Sequence, residues 1–271
     1  MADQVTTKQD PTPTDASTVP SVEPLRELPE IPEKHAAMSR VLTEAIREGK
    51  HEVPENPAPL VCKPRELESW RVFKIMSEFV EGFDLIKKYG LAASIFGTAR
   101  QSFDESVYKD AEELAGRLAK RGFAIITGGS AGVMESANKG AFEAGGASIG
   151  LNIELPMEQH TNGYTTEAMS FDHFFVRKVM LTFASEVYIY FPGGFGTLDE
   201  FTEIATLVQT RKIRKVPIVL YGRAYWEPFT KLFEERLYKE YGAVDEADLE
   251  LYRVVDSVDE AFEYIIANVR C

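Results

Sequence analysis

The sequence predicts an α/β protein: a doubly wound, Rossmann-like parallel sheet with helices on both faces, preceded by a long N-terminal helix and a disordered tail. Three observations carry this expectation. From Leu91 onward, short and uniformly apolar runs alternate with stretches of helical periodicity, the pattern of strands buried on both faces. Three of those runs pass directly into turns rich in glycine or small hydroxyl residues. Upstream, the composition changes: nine of the fourteen prolines fall within Met1–Leu60, among Thr, Asp and Glu.

The chain divides into a Pro-rich acidic tail, residues 1–64, and a nucleotide-binding core, residues 65–271. The tail has too little apolar surface to offset chain entropy and reads as mostly disordered. Its exception is residues 35–50, where Met38, Val41, Leu42, Ala45 and Ile46 recur at helical spacing. A helix is expected over Arg65–Tyr89, with Leu67, Trp70, Phe73, Met76, Val80, Phe83 and Ile86 as its apolar stripe and Gly90 as its stop. That stripe packs either on the core of its own chain or in part on a second subunit.

The alternation proper follows. Ala92–Phe96 is a strand, then a helix runs through Tyr108 to Lys120; Phe123–Thr127 is a strand, then a helix spans Val133 to Ala144; Ala147–Asn152 is a strand. The series resumes with a helix beginning near Phe174, a strand at Val187–Phe191 and a helix over Thr197–Thr210. A strand at Val216–Tyr221, a helix over Trp226–Tyr241 and a last helix over Val258–Val269 complete it.

Charge narrows the function. Lys plus Arg number 30 against 43 Asp plus Glu, a formal net charge of -13, and such a surface repels phosphate backbones and anionic membranes. Neither a nucleic acid nor a membrane is an expected partner. An anionic ligand must be caught locally, by oriented N–H groups and a few cations. The two cysteines, Cys62 and Cys271, build neither a disulfide framework nor a zinc site, and the four histidines lack ligand spacing, so no metal or cofactor is expected. His160 and His173 read as polar groups at the surface or just behind the ligand contacts. With no signal-peptide pattern at the N-terminus and no apolar run long enough to span a bilayer, a cytoplasmic location is expected.

Ligands of open α/β sheets sit beyond the carboxyl ends of the strands, so the turns there carry the site. They are Gly97-Thr98-Ala99-Arg100, Thr127-Gly128-Gly129-Ser130-Ala131-Gly132 and Pro192-Gly193-Gly194-Phe195-Gly196-Thr197. The third is the most informative. Its glycines let backbone N–H groups approach an anion at a helix N-terminus, and a phosphate is the natural occupant. Glu200, three residues after Thr197, reads either as a helix-capping residue or as a carboxylate beside a bound sugar. Arg177-Lys178 places two cations at the start of a helix, where they oppose its dipole, and an anionic ligand explains them better than local stability does. Neither the nucleoside triphosphatase phosphate loop nor the dinucleotide fingerprint is present in its usual place.

The segment Pro192-Gly193-Gly194-Phe195-Gly196-Thr197-Leu198-Asp199-Glu200 matches the P-G-G-x-G-T-x-x-E signature of the Lonely Guy (LOG) family, and Arg177-Lys178 matches its R-K-x-x-M element. Two departures are plain: Met180 falls one residue early, with Leu181 in the usual methionine's place, and Ser130 stands where a third glycine is common. The resemblance runs from about Glu68 to Ile266 and includes the stretch Asn152–Gln159 seen in longer bacterial members. It implies a phosphoribohydrolase that cleaves AMP or cytokinin riboside 5′-monophosphates to free base and ribose 5-phosphate. Many members carry a lysine decarboxylase label, against which this sequence argues, since no lysine lies in a setting suited to pyridoxal phosphate.

By position the resemblance makes Arg177 and Glu200 the catalytic pair. Lys178, Gly193, Gly194, Phe195, Gly196, Thr197 and Glu158 become substrate contacts, joined by Gly97, Thr98, Gly129 and Gly132 from the first two turns. It also implies a homodimer or a larger even-numbered assembly. A non-catalytic nucleotide-binding or carrier protein of the same fold is the alternative.

Overall fold

A computed structural model describes residues 69–155 and 161–270. The expected tail, its short helix at 35–50, Cys62, Glu158 and His160 lie outside the described residues.

Helix α1 (Arg71–Ile86) leads into strand β1 (Ala92–Phe96), helix α2 (Glu105–Lys120), β2 (Ala124–Thr127), α3 (Val133–Glu143) and β3 (Ser148–Ile153). Then come β4 (Glu167–Phe171), α4 (Phe174–Phe183), β5 (Val187–Tyr190), α5 (Phe195–Gln209) and β6 (Ile218–Tyr221). Helix α6 (Arg223–Leu232) continues as a π-helical stretch (Phe233–Glu240), and a short 3₁₀ turn (Glu246–Glu250), β7 (Arg253–Val255) and α7 (Val258–Asn268) follow. The strands form one parallel sheet in the order β4-β3-β2-β1-β5-β6-β7. This is the doubly wound α/β fold expected.

Strand alternation sorts the core into two layers. Ala92, Phe96, Ile126, Leu151, Tyr188 and Tyr190 face α1, α4, α5 and α6, whereas Ala93, Ile95, Ile125 and Ile189 face α2, α3 and α7. Every residue of β1, β2, β3, β5 and β6 is buried, which is why these strands read as continuous apolar runs. The edge strands differ. In β4 Ala168 and Ser170 are exposed while Phe171 is buried, and β7 is only three residues long, so neither was anticipated.

Helix α1 begins and ends inside its expected limits. Its last turn tightens through Lys88 N–H to Leu85 O at 3.3 Å and Tyr89 N–H to Ile86 O at 3.1 Å, ahead of Gly90, which does not adopt a positive φ. The end is thus a 3₁₀-type finish in place of the expected glycine stop. On its outer side Trp70, Phe73, Met76, Val80 and Phe83 are exposed, Trp70 by 79%. Phe183 of α4, also exposed, lies 6.3 Å from Phe83 and extends the same apolar surface. Among the described residues no helix is long and apolar enough to cross a membrane.

Candidate active site

Strands β1 and β5 lie side by side, and from them the chain winds outward in opposite directions, which leaves a crevice beyond their carboxyl ends. The crevice is a cleft of about 710 Å³. Gly97, Thr98, Arg177, Gly193, Gly194, Phe195, Gly196, Thr197 and Glu200, all named from the sequence, line it together.

Backbone hydrogen bonds lock the three turns into one frame. Thr98 N–H donates to Pro192 O at 3.0 Å, and Val133 N–H donates to Thr98 O at 3.0 Å. Tyr225 OH donates to Gly193 O at 2.8 Å. Gly132 has a φ of 68°, and a Cβ there would lie 2.3 Å from Thr98 O, so the meeting of the first two turns requires glycine. At Gly193 a Cβ would lie 2.0 Å from Thr197 Oγ1. The third turn therefore folds tightly onto its own helix. The first full α5 hydrogen bond is Leu198 N–H to Gly194 O, 3.1 Å. The N–H groups of Gly194, Phe195 and Gly196 precede it at the positive end of the helix dipole, and all three residues line the cleft.

Helix α5 starts at Phe195, so Glu200 sits in its second turn, one step deeper than the expected first turn. Phe201, its neighbour, is buried with its ring 5.4 Å from Trp226 and 5.7 Å from Tyr252, which anchors this part of α5. Tyr190 OH donates to Glu200 O at 3.1 Å. The Glu200 side chain is 15% exposed, and burial pushes its pKa up from the ordinary 4.5 to about 7, against the opposing pull of Lys178 and Arg177. Glu200 thus changes charge near neutral pH.

Arg177 is half-buried on α4, and burial lowers its pKa while Glu200 raises it. Its Nε donates to Leu151 O at 2.8 Å, and a Cβ on Gly128 would lie 2.6 Å from Nη2, so the guanidinium is seated against the second turn. No direct ion pair joins Arg177 to Glu200 among the described residues; both line the cleft from separate helices.

Three of the expected contacts lie elsewhere. Lys178 does not line the cleft: it turns to α5, where its Nζ is 2.5 Å from Asp199, 3.0 Å from Glu203 and 3.7 Å from Glu200. Adjacent helical residues diverge by about 100°, so Arg177 and Lys178 leave α4 in different directions. Gly129 is buried within the second turn, where its N–H donates to Thr127 Oγ1 at 2.9 Å. Gly132 lines a separate hollow of about 490 Å³ beside the cleft. Glu158 is outside the described residues. His173, expected at the surface or just behind the contacts, is buried. The cleft also contains Arg100, Phe103, Met134 and Phe174, none of which the sequence marks as a ligand contact. Phe174 had a signal: it immediately precedes the segment bearing Arg177, and it is 61% exposed. Among the described residues no group of three His, Cys, Asp or Glu is placed to hold a metal.

A family model described as "Possible lysine decarboxylase" matches residues 134–265, which include both motifs. An uncharacterized protein of Archaeoglobus fulgidus is 29% identical over 127 residues, 46% of this chain and 81% of that protein. A cytokinin riboside 5′-monophosphate phosphoribohydrolase of Arabidopsis thaliana is 33% identical over 105 residues, 38% of this chain and 49% of the plant protein. The chain thus spans about half the length of the Arabidopsis enzyme. Among solved structures, the molybdenum cofactor carrier protein of Chlamydomonas reinhardtii is 25% identical with a TM-score of 0.52, over 65% of this chain and 96% of that one. The glycine turn before Glu200, the Arg-Lys pair, the family model and the plant enzyme agree: this chain is similar in sequence to the Lonely Guy (LOG) family.

Proposed function

We propose that the protein hydrolyses the N-glycosidic bond of nucleoside 5′-monophosphates, AMP foremost, giving free base and ribose 5-phosphate. The observation that carries this reading is that Glu200, only 15% exposed, shares one cleft with Arg177 and with the glycine turn at the N-terminus of α5. The 5′-phosphate sits on the N–H groups of Gly194, Phe195 and Gly196, so remote binding energy orients the sugar over Glu200. As the C1′–N bond breaks, its electron pair leaves with the base and positive charge grows on the ribose. Ionised Glu200 stabilises that charge. Water adds its oxygen to C1′, and its proton goes to the departing base, whose negative charge Arg177 offsets. Lys178 acts on Glu200 from behind and favours its ionised form.

A second copy of the chain covers the exposed stripe of α1, giving an even-numbered assembly; the number of large apolar side chains left in water there supports this. The carrier reading has one specific observation in its favour, the likeness to the molybdenum cofactor carrier protein. The joint presence of Arg177 and Glu200 in one cleft supports the enzyme. Incubating the protein with a panel of nucleoside monophosphates and separating the products decides between them. Free base with ribose 5-phosphate is expected; tight nucleotide binding without cleavage overturns the enzyme in favour of the carrier.

A further inference from the structure

We infer that His173, clamped by Glu78 and Arg71 of α1, is a positioning residue for Arg177; this rests on the proposed role of Arg177. Glu78 and His173 are buried, 7% and 6% exposed. Both carboxylate oxygens of Glu78 are used on His173: Oε1 lies 2.9 Å from ring Nδ1, and Oε2 accepts the backbone N–H at 3.3 Å. Ring Nε2 accepts from Arg71 Nε at 3.1 Å. An accepting Nε2 puts the proton on Nδ1, which then donates to Glu78, so the clamp fixes the tautomer as well as the ring.

His173 is also the residue from which α4 starts. Its carbonyl accepts the N–H of Val176 at 3.1 Å and of Arg177 at 3.2 Å. The backbone of Arg177 is thus hydrogen-bonded to the clamped residue, while its side chain is held at the far end by Leu151 O, 2.8 Å from Nε. An ion pair between Lys74 and Asp172, the residue before His173, ties the same junction to α1 a second time. Apolar packing alone would join the two helices, since a Cβ on Gly82 would lie 2.6 Å from Met180 Sδ. A buried carboxylate is a costly addition to such a contact, and what it supplies is direction. Neither Glu78 nor His173 lines the cleft, so both act through α4.

A double-mutant cycle on the full chain tests this. Glu78→Ala should lower kcat for AMP by roughly 10- to 100-fold, the scale of a small misplacement of a catalytic group. KM should stay within about twofold, because the phosphate site on α5 is untouched. In an Arg177→Ala background the same change should lower residual kcat by less than about twofold. Glu78→Gln, which keeps one accepting oxygen, should lose less and supplies the readout if the alanine variant does not fold. Separately, the Arg177 Nε–H resonance, identified by its absence in Arg177→Lys, should lose protection from solvent exchange in both Glu78 variants. Equal losses of kcat in both backgrounds, or an unchanged kcat with an unchanged Arg177 signal, overturn the positioning role. A protein that cleaves no nucleoside monophosphate, yet whose Arg177 signal responds to Glu78, would sink the proposed activity and leave the clamp standing.

Discussion

Replacing Glu200 by Gln should remove turnover and at the same time stabilise the fold at alkaline pH. The folded protein holds this carboxyl at about 7 against an ordinary 4.5, so the native state binds a proton that the unfolded chain has already released. The sign follows directly. The contribution of Glu200 to stability is fully present below 4.5 and is lost as pH rises to about 7, beyond which the penalty for ionising it in place is constant. At about 1.4 kcal/mol per pH unit, the full excursion amounts to about 3 kcal/mol. Because the value of about 7 already contains the pull of Lys178 and Arg177, that figure is net of the lost attraction. Glu200 is only 15% exposed, so solvent screening takes little from it. Glu200→Gln, which mimics the protonated form, should therefore exceed the native protein in stability by about 3 kcal/mol near pH 8.5 and by less than about 1 kcal/mol near pH 5. For a core of this size that corresponds to roughly 6 to 12 °C in Tm at the higher pH. Urea melts of both proteins at the two pH values measure it. An equal stability difference at both, or a less stable Gln variant at pH 8.5, refutes the reasoning.

Other outcomes are open to direct measurement. Adenosine should be at least about 100-fold worse than AMP in kcat/KM, since the glycine turn ahead of α5 has no role for a neutral ligand; comparable efficiencies would contradict the phosphate site. For AMP, kcat/KM should rise as pH passes through about 7, where Glu200 ionises; a profile falling through that range would mean that the protonated form is the active one. Lys178→Met removes a cation that favours ionised Glu200, so the midpoint of that profile should move to higher pH; an unmoved midpoint would return Lys178 to direct substrate contact. Charged substitutions at Phe73 and Val80 should weaken assembly in light scattering, while deletion of residues 1–32 should leave assembly and activity unchanged; a native chain that is monomeric, or a truncated one that dissociates, argues against α1 as the interface.

The legibility of the fold tracked burial. Strand β1 was read to the residue, because Ala92–Phe96 is buried on both faces and leaves no other interpretation of an apolar run. Strand β4 escaped because an edge strand with Ala168 and Ser170 in water has no such run, although Met169 and Phe171 alternate with them. In the site, the glycine turn was visible from its composition, whereas Glu200 kept two readings until the resemblance to the LOG signature implied a catalytic carboxylate. What spacing did not reveal was the direction of neighbouring side chains on α4. Arg177 and Lys178 are consecutive, yet one faces the cleft and the other faces three carboxylates of α5. Likewise Gly129 and Gly132 look like ligand contacts in sequence, where a glycine required by the packing of two turns and a glycine that approaches a phosphate are indistinguishable. The burial of His173 depends on Glu78, 95 residues away, a pairing that no local pattern announces.

The most direct test is a product balance at pH 8 with AMP, comparing the native protein with Glu200→Gln. Adenine and ribose 5-phosphate in equal amounts are expected from the native chain, and intact AMP, still bound, from the Gln variant. Intact AMP with both proteins, or equal cleavage by both, would contradict it.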